Sequence, residues 1–360
     1  MEIEGSGLAT EVKLVHFLTL PIPEELKQEI RACCQVEQSS VQLVCSLNFK
    51  LGALFADAVK HVCREAGVSM EELDFIGSHG QTVFHIPKSF ATYTRSTLQI
   101  GEPAVIAYET KTKVVSDFRV MDVAAGGEGA PLVPYTEYLL YRSDRDRILQ
   151  NIGGIGNATV IPKQASLGEI FAFDTGPGNM IIDEICQRLT EFPFDRDGEF
   201  AAKGNVHMPL LQTLMSHPFI SAPPPKSTGR EAFGAPYADD LLKEWKGLKT
   251  EDWLATITMF TARSIAENYE RFIFPAYPEA EIVIGGGGCY NRTLLKMLKA
   301  CMPNRRILTQ EDLGFSSAAK EAIAFAVLAN ETLHGLPANV TGATGAKRRV
   351  VLGHITPVPY

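Results

Sequence analysis

The chain has 360 residues and a formal net charge of −8, with 45% hydrophobic and 21% charged residues. This composition is ordinary for a soluble globular protein of about two domains, and it excludes disordered, collagen-like and disulfide-scaffold classes. The acidic balance argues against nucleic acid as a partner, and no apolar run approaches the ~20 residues of a membrane helix.

The cysteines indicate a reducing compartment. There are seven of them, an odd number, and no two form a Cys-x-x-Cys pair. The first residues, Met1 to Gly5, lack the basic and apolar regions of a secretory signal. We therefore expect reduced thiols, a cytoplasmic location and no membrane partner.

Short apolar segments alternate with helical patterns along the chain, which predicts a mixed α/β class. An N-terminal hairpin is predicted first, and Glu2-Ile3-Glu4 supplies only a stub of its first strand. An irregular stretch from about Ser216 to Pro236 is typical of a lid or binding loop. The other predicted elements are, in chain order, strands over 73–77 and 97–101, a helix over 104–111, a strand over 113–117, a hairpin of 147–151 with 158–161, a strand over 170–173, a helix over 180–189, a helix over 253–272, a strand over 281–284, and helices over 293–301 and 318–333.

Two glycine-rich segments follow predicted strands. Three glycines in Asn151–Thr159 have bare N–H groups able to cradle a phosphate, and a tight hairpin turn explains them equally well. Four consecutive glycines in Ile284–Asn291 suggest a flat ligand, such as a purine ring, lying against the backbone. Neither run matches the dinucleotide fingerprint and no P-loop is present, which argues against a nicotinamide-dependent oxidoreductase and excludes a P-loop NTPase.

Asp174 lies where an apolar strand ends, within Phe173–Asn179. Ligands of α/β folds gather at the carboxyl ends of strands, and the flanking glycines leave room for a substrate. The position predicts a general base, and the alternative is an aspartate that only organises the turn.

Other polar residues follow strand ends elsewhere. His79, in Gly77–Thr82, suits a sugar or phosphate contact as well as it suits a structural role. In the loop Asp117–Pro131, an arginine and an aspartate are able to hold a carboxylate and sugar hydroxyls, or to pair with each other. Glu102 follows Gly101 in a similar way, and Glu321 either has a function or favours the start of a helix.

Together these five segments resemble the anhydro-N-acetylmuramic acid kinases of the actin, Hsp70 and hexokinase-like superfamily. The resemblance implies two RNase H-like (actin/hexokinase-type) domains around a cleft. We expect an N-terminal lobe over 1–133 and a C-terminal lobe over 134–360, whose last segment is able to return to the first lobe. The implied reaction uses ATP and Mg²⁺ to open the 1,6-anhydro ring of the sugar by hydrolysis and to phosphorylate O6, in cell-wall recycling. The partners are then the amino sugar and ATP, and a second copy of the chain in a homodimer is left open.

Site residues are implied by the same resemblance. Asp174 would activate a water, and Glu321 would be a second carboxylate. The sugar contacts would be His79, Glu102, Arg119 and Asp122, with Arg119 facing the lactyl carboxylate. The nucleotide contacts would be Gly153, Gly154, Gly156, Asn157, Gly176, Gly178, Asn179, Gly285, Gly286, Gly287, Gly288 and Asn291.

The resemblance has one gap, at the N-terminus. Family members begin with a strand and a Gly-Thr-Ser-Met-Asp-Gly type of loop around the ATP phosphates, and this sequence starts after it. One hypothesis is a start site assigned too far downstream. The alternative function is a catalytically impaired protein of the same fold that binds the sugar or the nucleotide.

Overall fold

The computed structural model describes residues 1–359. The strands are β1 (Glu2–Glu4), β2 (Glu11–Lys13), β3 (Ile76–Gly77), β4 (Gln81–Ile86), β5 (Ser96–Ile100), β6 (Val114–Ser116), β7 (Arg147–Ile152), β8 (Ile155–Ile161), β9 (Phe171–Pro177), β10 (Glu281–Gly285), β11 (Ile307–Thr309) and β12 (His354–Thr356). The helices are α1 (Glu24–Cys33), α2 (Val41–Ala66), α3 (Pro103–Thr110), α4 (Val120–Ala124), α5 (Val133–Tyr141), α6 (Asn179–Leu189), α7 (Met208–Met215), α8 (Pro218–Ser221), α9 (Arg230–Phe233), α10 (Ala235–Glu244), α11 (Thr250–Phe272), α12 (Arg292–Cys301), α13 (Lys320–Leu333) and α14 (Thr341–Thr344).

The chain forms two compact units. Unit 1 consists of Met1–Leu140 together with the chain from Ala319 onward, and unit 2 is Tyr141–Ala318. The observed division therefore lies after Leu140, whereas the prediction from the sequence places it after Val133. The reason is the packing of α5, which stays with unit 1: the Tyr135 hydroxyl donates to Glu331 Oε2 at 2.6 Å.

Unit 2 is built on a five-stranded sheet in the order β11-β10-β7-β8-β9. Strand β8 is antiparallel to both neighbours, and β10 and β11 run parallel to β7. When β7 to β11 are numbered 1 to 5 in chain order, the sheet order counted from β9 is 3-2-1-4-5, and strand 2 (β8) is the antiparallel one. This is the topology of an RNase H-like domain. Helix α11 is buried along most of its length and packs against β9, α6, α7 and α12. The mixed α/β class is confirmed, and the chain divides into two units.

Unit 1 contains shorter sheets. Strands β12, β6 and β3 form one sheet, and β4–β5 and β1–β2 are antiparallel pairs. The predicted N-terminal hairpin is present: β1 pairs with β2, which is a short strand that ends at Lys13. Helix α2, with 26 residues, is not among the predicted elements; it starts at a Ser40 side-chain cap and ends at Gly67 with a φ of 68°.

Candidate active site

Asp174 lies on β9 at the point where the strand is irregular. The register of β8 with β9 shifts there, so that Asn157 pairs with Asp174 while Gly156 pairs with Gly176. Residues opposite each other in an antiparallel pair share a face of the sheet. Asn157, predicted as a phosphate contact, is therefore a neighbour of Asp174 on one sheet face.

The Asp174 carboxylate is half-buried and only half-satisfied. Its Oδ2 accepts a hydrogen bond from the Thr228 N–H at 2.8 Å, and its own N–H donates to the Lys226 carbonyl at 3.1 Å. Oδ1 has no hydrogen-bond partner within residues 1–359. Burial raises the pKa of Asp174, against the opposing effects of the Thr228 N–H and the Lys226 ammonium. A carboxylate with one free oxygen and a raised pKa is suited to accept a proton.

Lys226 and Thr228 come from the irregular stretch predicted as a lid or binding loop. The Lys226 ammonium donates to the carbonyls of Phe219 and Ile220 at 2.9 and 3.2 Å and lies over the Phe219 ring. Burial lowers its pKa to about 8. Neither residue stands out in the sequence; the only signal is the irregular stretch from about Ser216 to Pro236 that contains them.

The first glycine segment packs on the start of α6. The carbonyl of Gly154 accepts from the N–H groups of Gly178 and Met180 at 2.9 and 3.0 Å, and the Gly153 carbonyl accepts from Asn179 at 2.7 Å. These helix N–H groups are therefore satisfied inside the protein. Gly154 is exposed and Gly153 half-exposed, which leaves the turn itself accessible.

The remaining glycines differ in how much space surrounds them. Added Cβ atoms would meet the Gln310 side chain at Gly285, Asn151 and Ile152 at Gly286, and Ile152 at Gly288. Gly287 is exposed, and its nearest neighbour, Asn179 Nδ2, would lie 3.6 Å away. Internal packing therefore explains three of the four consecutive glycines, and Gly287 is the one that presents open backbone. Asn291 is buried and caps α12, accepting from the Leu294 N–H at 2.9 Å.

Unit 1 contains a cavity of about 510 Å³ lined by three of the predicted residues. His79 follows β3, Arg119 precedes α4, and Glu321 is exposed in the first turn of α13. The segment Ala130–Val133 forms another wall. The structure thus brings together residues that are roughly 40 to 240 positions apart in the sequence. Sites in α/β folds commonly form in this way, where strand ends from distant parts of the chain meet.

Arg119 is the charged centre of this cavity. Its Nε donates to His79 Nε2 at 3.0 Å, and its Nη1 donates to the Gly129 carbonyl at 3.2 Å. Nη2 has no hydrogen-bond partner in the part of the chain that the structure describes. Burial, and then the Arg119 charge, lower the pKa of His79, so the imidazole is neutral and accepts from the guanidinium. The free edge of Arg119 is able to receive a carboxylate.

Two predicted sugar contacts have structural roles instead. Asp122 is fully buried, and its carboxylate accepts from the Gly129 N–H, Asn339 Nδ2 and Thr344 Oγ1 at 2.9, 2.7 and 2.8 Å. Glu102 caps α3 by accepting from the Ala104 N–H at 3.1 Å and also accepts from Asn48 Nδ2 at 2.9 Å. Both oxygens of each carboxylate accept hydrogen bonds from the protein, which favours a structural role over a sugar contact.

Within residues 1–359, no group of three or more His, Cys, Asp or Glu side chains is placed to hold a metal ion. In the same residues, no helix combines the length and the apolar character needed to cross a membrane.

Comparison with known proteins identifies the family. The family model of anhydro-N-acetylmuramic acid kinase matches residues 3–358. "Anhydro-N-acetylmuramic acid kinase" of Clostridioides difficile (strain 630) is 56% identical over 361 residues, covering 100% of this chain and 94% of that protein. The protein of the same name from Bacillus cereus (strain AH187) is 57% identical over 359 residues, covering 99% and 94%. A solved activator of 2-hydroxyisocaproyl-CoA dehydratase from Clostridium difficile with bound ADPNP has a TM-score of 0.38 at 12% identity, over 75% of this chain and 78% of that one. By its sequence, the chain belongs to the anhydro-N-acetylmuramic acid kinase family.

Proposed function

We propose that this chain opens the 1,6-anhydro ring of anhydro-N-acetylmuramic acid with water and phosphorylates O6 at the expense of ATP. The product is N-acetylmuramic acid 6-phosphate, an intermediate of cell-wall sugar recycling. The family match over residues 3–358 supports the substrate and the reaction. The surroundings of Asp174 support the mechanism.

The observation that carries the proposal is the half-satisfied carboxylate of Asp174. Thr228 fixes one oxygen at 2.8 Å, and the other oxygen is left for a ligand. A neutral water is a poor nucleophile until a positioned base accepts its proton. Burial raises the pKa of Asp174, which brings the carboxylate closer to the basicity that this task requires.

The proposed reaction balances as follows. The water oxygen bonds to the anomeric carbon of the sugar while Asp174 takes one of its protons. The bond between the anomeric carbon and O6 breaks, and its electron pair stays on O6. O6 then attacks the γ-phosphorus of ATP, ADP leaves, and Asp174 later releases its proton to solvent. The sum is one sugar, one ATP and one water converted into one sugar phosphate, one ADP and one proton.

The nucleotide is proposed to bind unit 2. The exposed Gly154 and half-exposed Gly153 suit the approach of phosphates, and exposed Gly287 suits the adenosine. Asn157 lies opposite Asp174 on β9, where a side-chain amide is able to donate to a phosphate oxygen. Gly156, Gly176, Gly178, Gly285, Gly286, Gly288 and Asn291 support these positions through packing and capping.

The sugar is proposed to bind in the unit 1 cavity. Arg119 would donate from its free Nη2 to the lactyl carboxylate, since a guanidinium pairs well with a carboxylate. His79 holds the guanidinium through the 3.0 Å contact with Nε. Glu321, exposed in the same cavity, would accept a hydrogen bond from the sugar.

Mg²⁺ is proposed to act with ATP. When bound, it neutralises charge on the transferring phosphoryl group, and phosphates and water supply most of its ligands in such sites. Within residues 1–359 there is no cluster of three or more ligating side chains for a metal, and a nucleotide-bound Mg²⁺ needs only one or two protein carboxylates beside phosphates and water.

The test is a direct kinase assay. The purified chain is incubated with ATP, Mg²⁺ and anhydro-N-acetylmuramic acid, and the sugar phosphate and ADP are quantified by mass spectrometry. Asp174→Asn is the matched variant, because it keeps the size of the side chain and removes the base. We expect one sugar phosphate per ADP, and a loss of about 1,000-fold in kcat for the variant.

Three outcomes are informative. ADP formation without a sugar phosphate would contradict the proposed reaction. Full activity of Asp174→Asn would contradict the role of Asp174. Binding of sugar and ATP without turnover by the unmodified chain would favour the impaired binding protein over the enzyme.

A further inference from the structure

Helix α11 carries a stripe of polar side chains on one of its buried faces. Thr261, Ser264 and Asn268 are all fully buried, and their spacing of three and four residues places them on one face of the helix. Burying a hydroxyl or an amide is costly unless it forms hydrogen bonds. The stripe therefore needs partners, and its partners identify its role.

All three side chains donate to backbone carbonyls in the segment that carries Asp174. Ser264 Oγ and Asn268 Nδ2 both donate to the Thr175 carbonyl, the latter at 3.1 Å. Thr261 Oγ1 donates to the Gly178 carbonyl at 3.1 Å. Two donors thus hold the carbonyl of the residue directly after Asp174, and a third holds the turn that leads into α6.

The Thr175 carbonyl needs these donors because of the irregularity in β9. Thr175 is the unpaired residue between the pairs Asn157–Asp174 and Gly156–Gly176. A bulge of this kind bends a strand and redirects a side chain, and it removes the regular ladder partner of the extra residue. Gly176 follows with a φ of 124°, and a Cβ there would collide with Ser264 Oγ.

The Thr175 side chain is fixed as well. Its Oγ1 accepts from Gln150 Nε2 at 3.2 Å, and Gln150 Oε1 accepts from the Tyr269 hydroxyl at 2.7 Å. Tyr269 is one residue after Asn268 on α11 and fully buried. The same helix therefore holds the bulge through both the backbone and the side chain of Thr175.

We propose that Ser264 and Asn268 are positioning residues for the reaction, because they hold the bulge that directs the Asp174 carboxylate. This inference rests on the proposed function of Asp174 as a base. Neither residue touches a substrate. Each acts through the Thr175 carbonyl, and a reacting group displaced by about 1 Å costs on the order of 100-fold in rate.

The test compares Ser264→Ala and Asn268→Leu with Thr258→Val. Thr258 is fully buried on the same helix, and its hydroxyl has no hydrogen-bond partner, so its replacement removes a polar atom without removing a contact. Each single variant keeps one donor on the Thr175 carbonyl, which preserves folding. Activity is measured with the anhydro sugar, ATP and Mg²⁺, and unfolding is measured by denaturant titration.

We expect kcat to fall about 10-fold in each single variant, with KM for sugar and ATP changed less than about twofold. The acid limb of the kcat profile should also move to higher pH, because a displaced carboxylate loses the Thr228 N–H that keeps its pKa down. The Lys226 ammonium also lowers the pKa of Asp174, and it is unchanged in these variants. Thr258→Val should keep kcat and the pH profile.

A purely structural role would overturn the inference. In that case Ser264→Ala and Asn268→Leu would lower the free energy of unfolding while kcat and the acid limb stayed at their original values. Failure of the proposed function looks different: Asp174→Asn would then remain active, whatever the α11 variants do. A fall in kcat shared equally by Thr258→Val would also overturn the inference.

Discussion

Two segments of the chain place an aspartate beside glycines, and the structure gives the two carboxylates opposite surroundings. Asp122, on α4 of unit 1, is fully buried and accepts three hydrogen bonds from the protein. Asp174, in the segment 171–179 of unit 2, is half-buried and accepts one, from Thr228. The sequence patterns alone do not distinguish them.

The difference lies in which groups satisfy each carboxylate. A buried carboxylate whose two oxygens both accept hydrogen bonds from the protein stabilises the segments that donate to it, and neither oxygen is free for a ligand. A half-satisfied one is held in place and still has an oxygen able to take a proton. We therefore propose a structural role for Asp122 and a catalytic role for Asp174, and the following changes test that division.

The largest effect on stability is expected for Asp122→Ala. The change would leave the Gly129 N–H, Asn339 and Thr344 without their buried acceptor, at a cost of about 3 kcal/mol in the free energy of unfolding. Denaturant titration measures this cost. Stability close to that of the unmodified chain would contradict the structural role of Asp122.

Arg119 directly precedes the helix that carries Asp122, but it lines the cavity, so its replacement should affect binding. Arg119→Ala is expected to raise KM for the sugar about 30-fold and to leave KM for ATP unchanged, because a charge-assisted hydrogen bond is worth about 2 kcal/mol. Steady-state kinetics with each substrate varied separately measures both constants. Arg119→Lys keeps the charge and loses the fork of donors, so its KM for the sugar should lie between those of the unmodified chain and Arg119→Ala. An equal rise in both constants would argue against a sugar contact.

Lys226 tests the electrostatics of the Asp174 segment. Its ammonium lowers the pKa of Asp174, so Lys226→Met should raise that pKa further. The base must be ionised to act, and the acid limb of the kcat profile should therefore move to higher pH, with a severalfold loss of rate at the acid end. Lys226→Arg retains the charge and serves as the control. A limb that moves to lower pH would show that another group is titrating.

The smallest effect is expected for Glu102→Ala, which removes a helix cap. Loss of a cap costs about 1 kcal/mol, and the loss of the Asn48 contact acts in the same direction. Denaturant titration and kinetics with the sugar measure the two possible roles of Glu102. A large rise in KM for the sugar, with stability unchanged, would restore the sugar contact predicted from the sequence.

Much of the fold could be predicted from local pattern. The strands β7 to β10 and the helices α6, α11 and α12 follow apolar periodicity, and glycine or proline marks their ends. Helix α2 was missed although apolar residues such as Leu47 and Leu51 follow the helical period and are buried. The boundary between the units was misplaced because the contact of Tyr135 with Glu331 spans 196 residues.

The candidate site was harder to predict than the fold. The sequence singled out Asp174, His79, Arg119 and Glu321, since polar residues at strand ends and helix starts stand out. It did not reveal that Thr228 fixes Asp174, nor that Ser264 and Asn268 hold Thr175, because these contacts span 54 to 93 residues. It also could not separate Asp122 from a ligand, because the donors to Asp122 include Asn339 and Thr344, 217 and 222 residues away.

The most direct test is a paired measurement of kcat and the free energy of unfolding for Asp174→Asn and Asp122→Asn. The account predicts that Asp174→Asn loses about 1,000-fold in kcat and keeps its stability, while Asp122→Asn loses stability and keeps kcat per folded molecule. Turnover preserved in Asp174→Asn and abolished in a folded Asp122→Asn would contradict it.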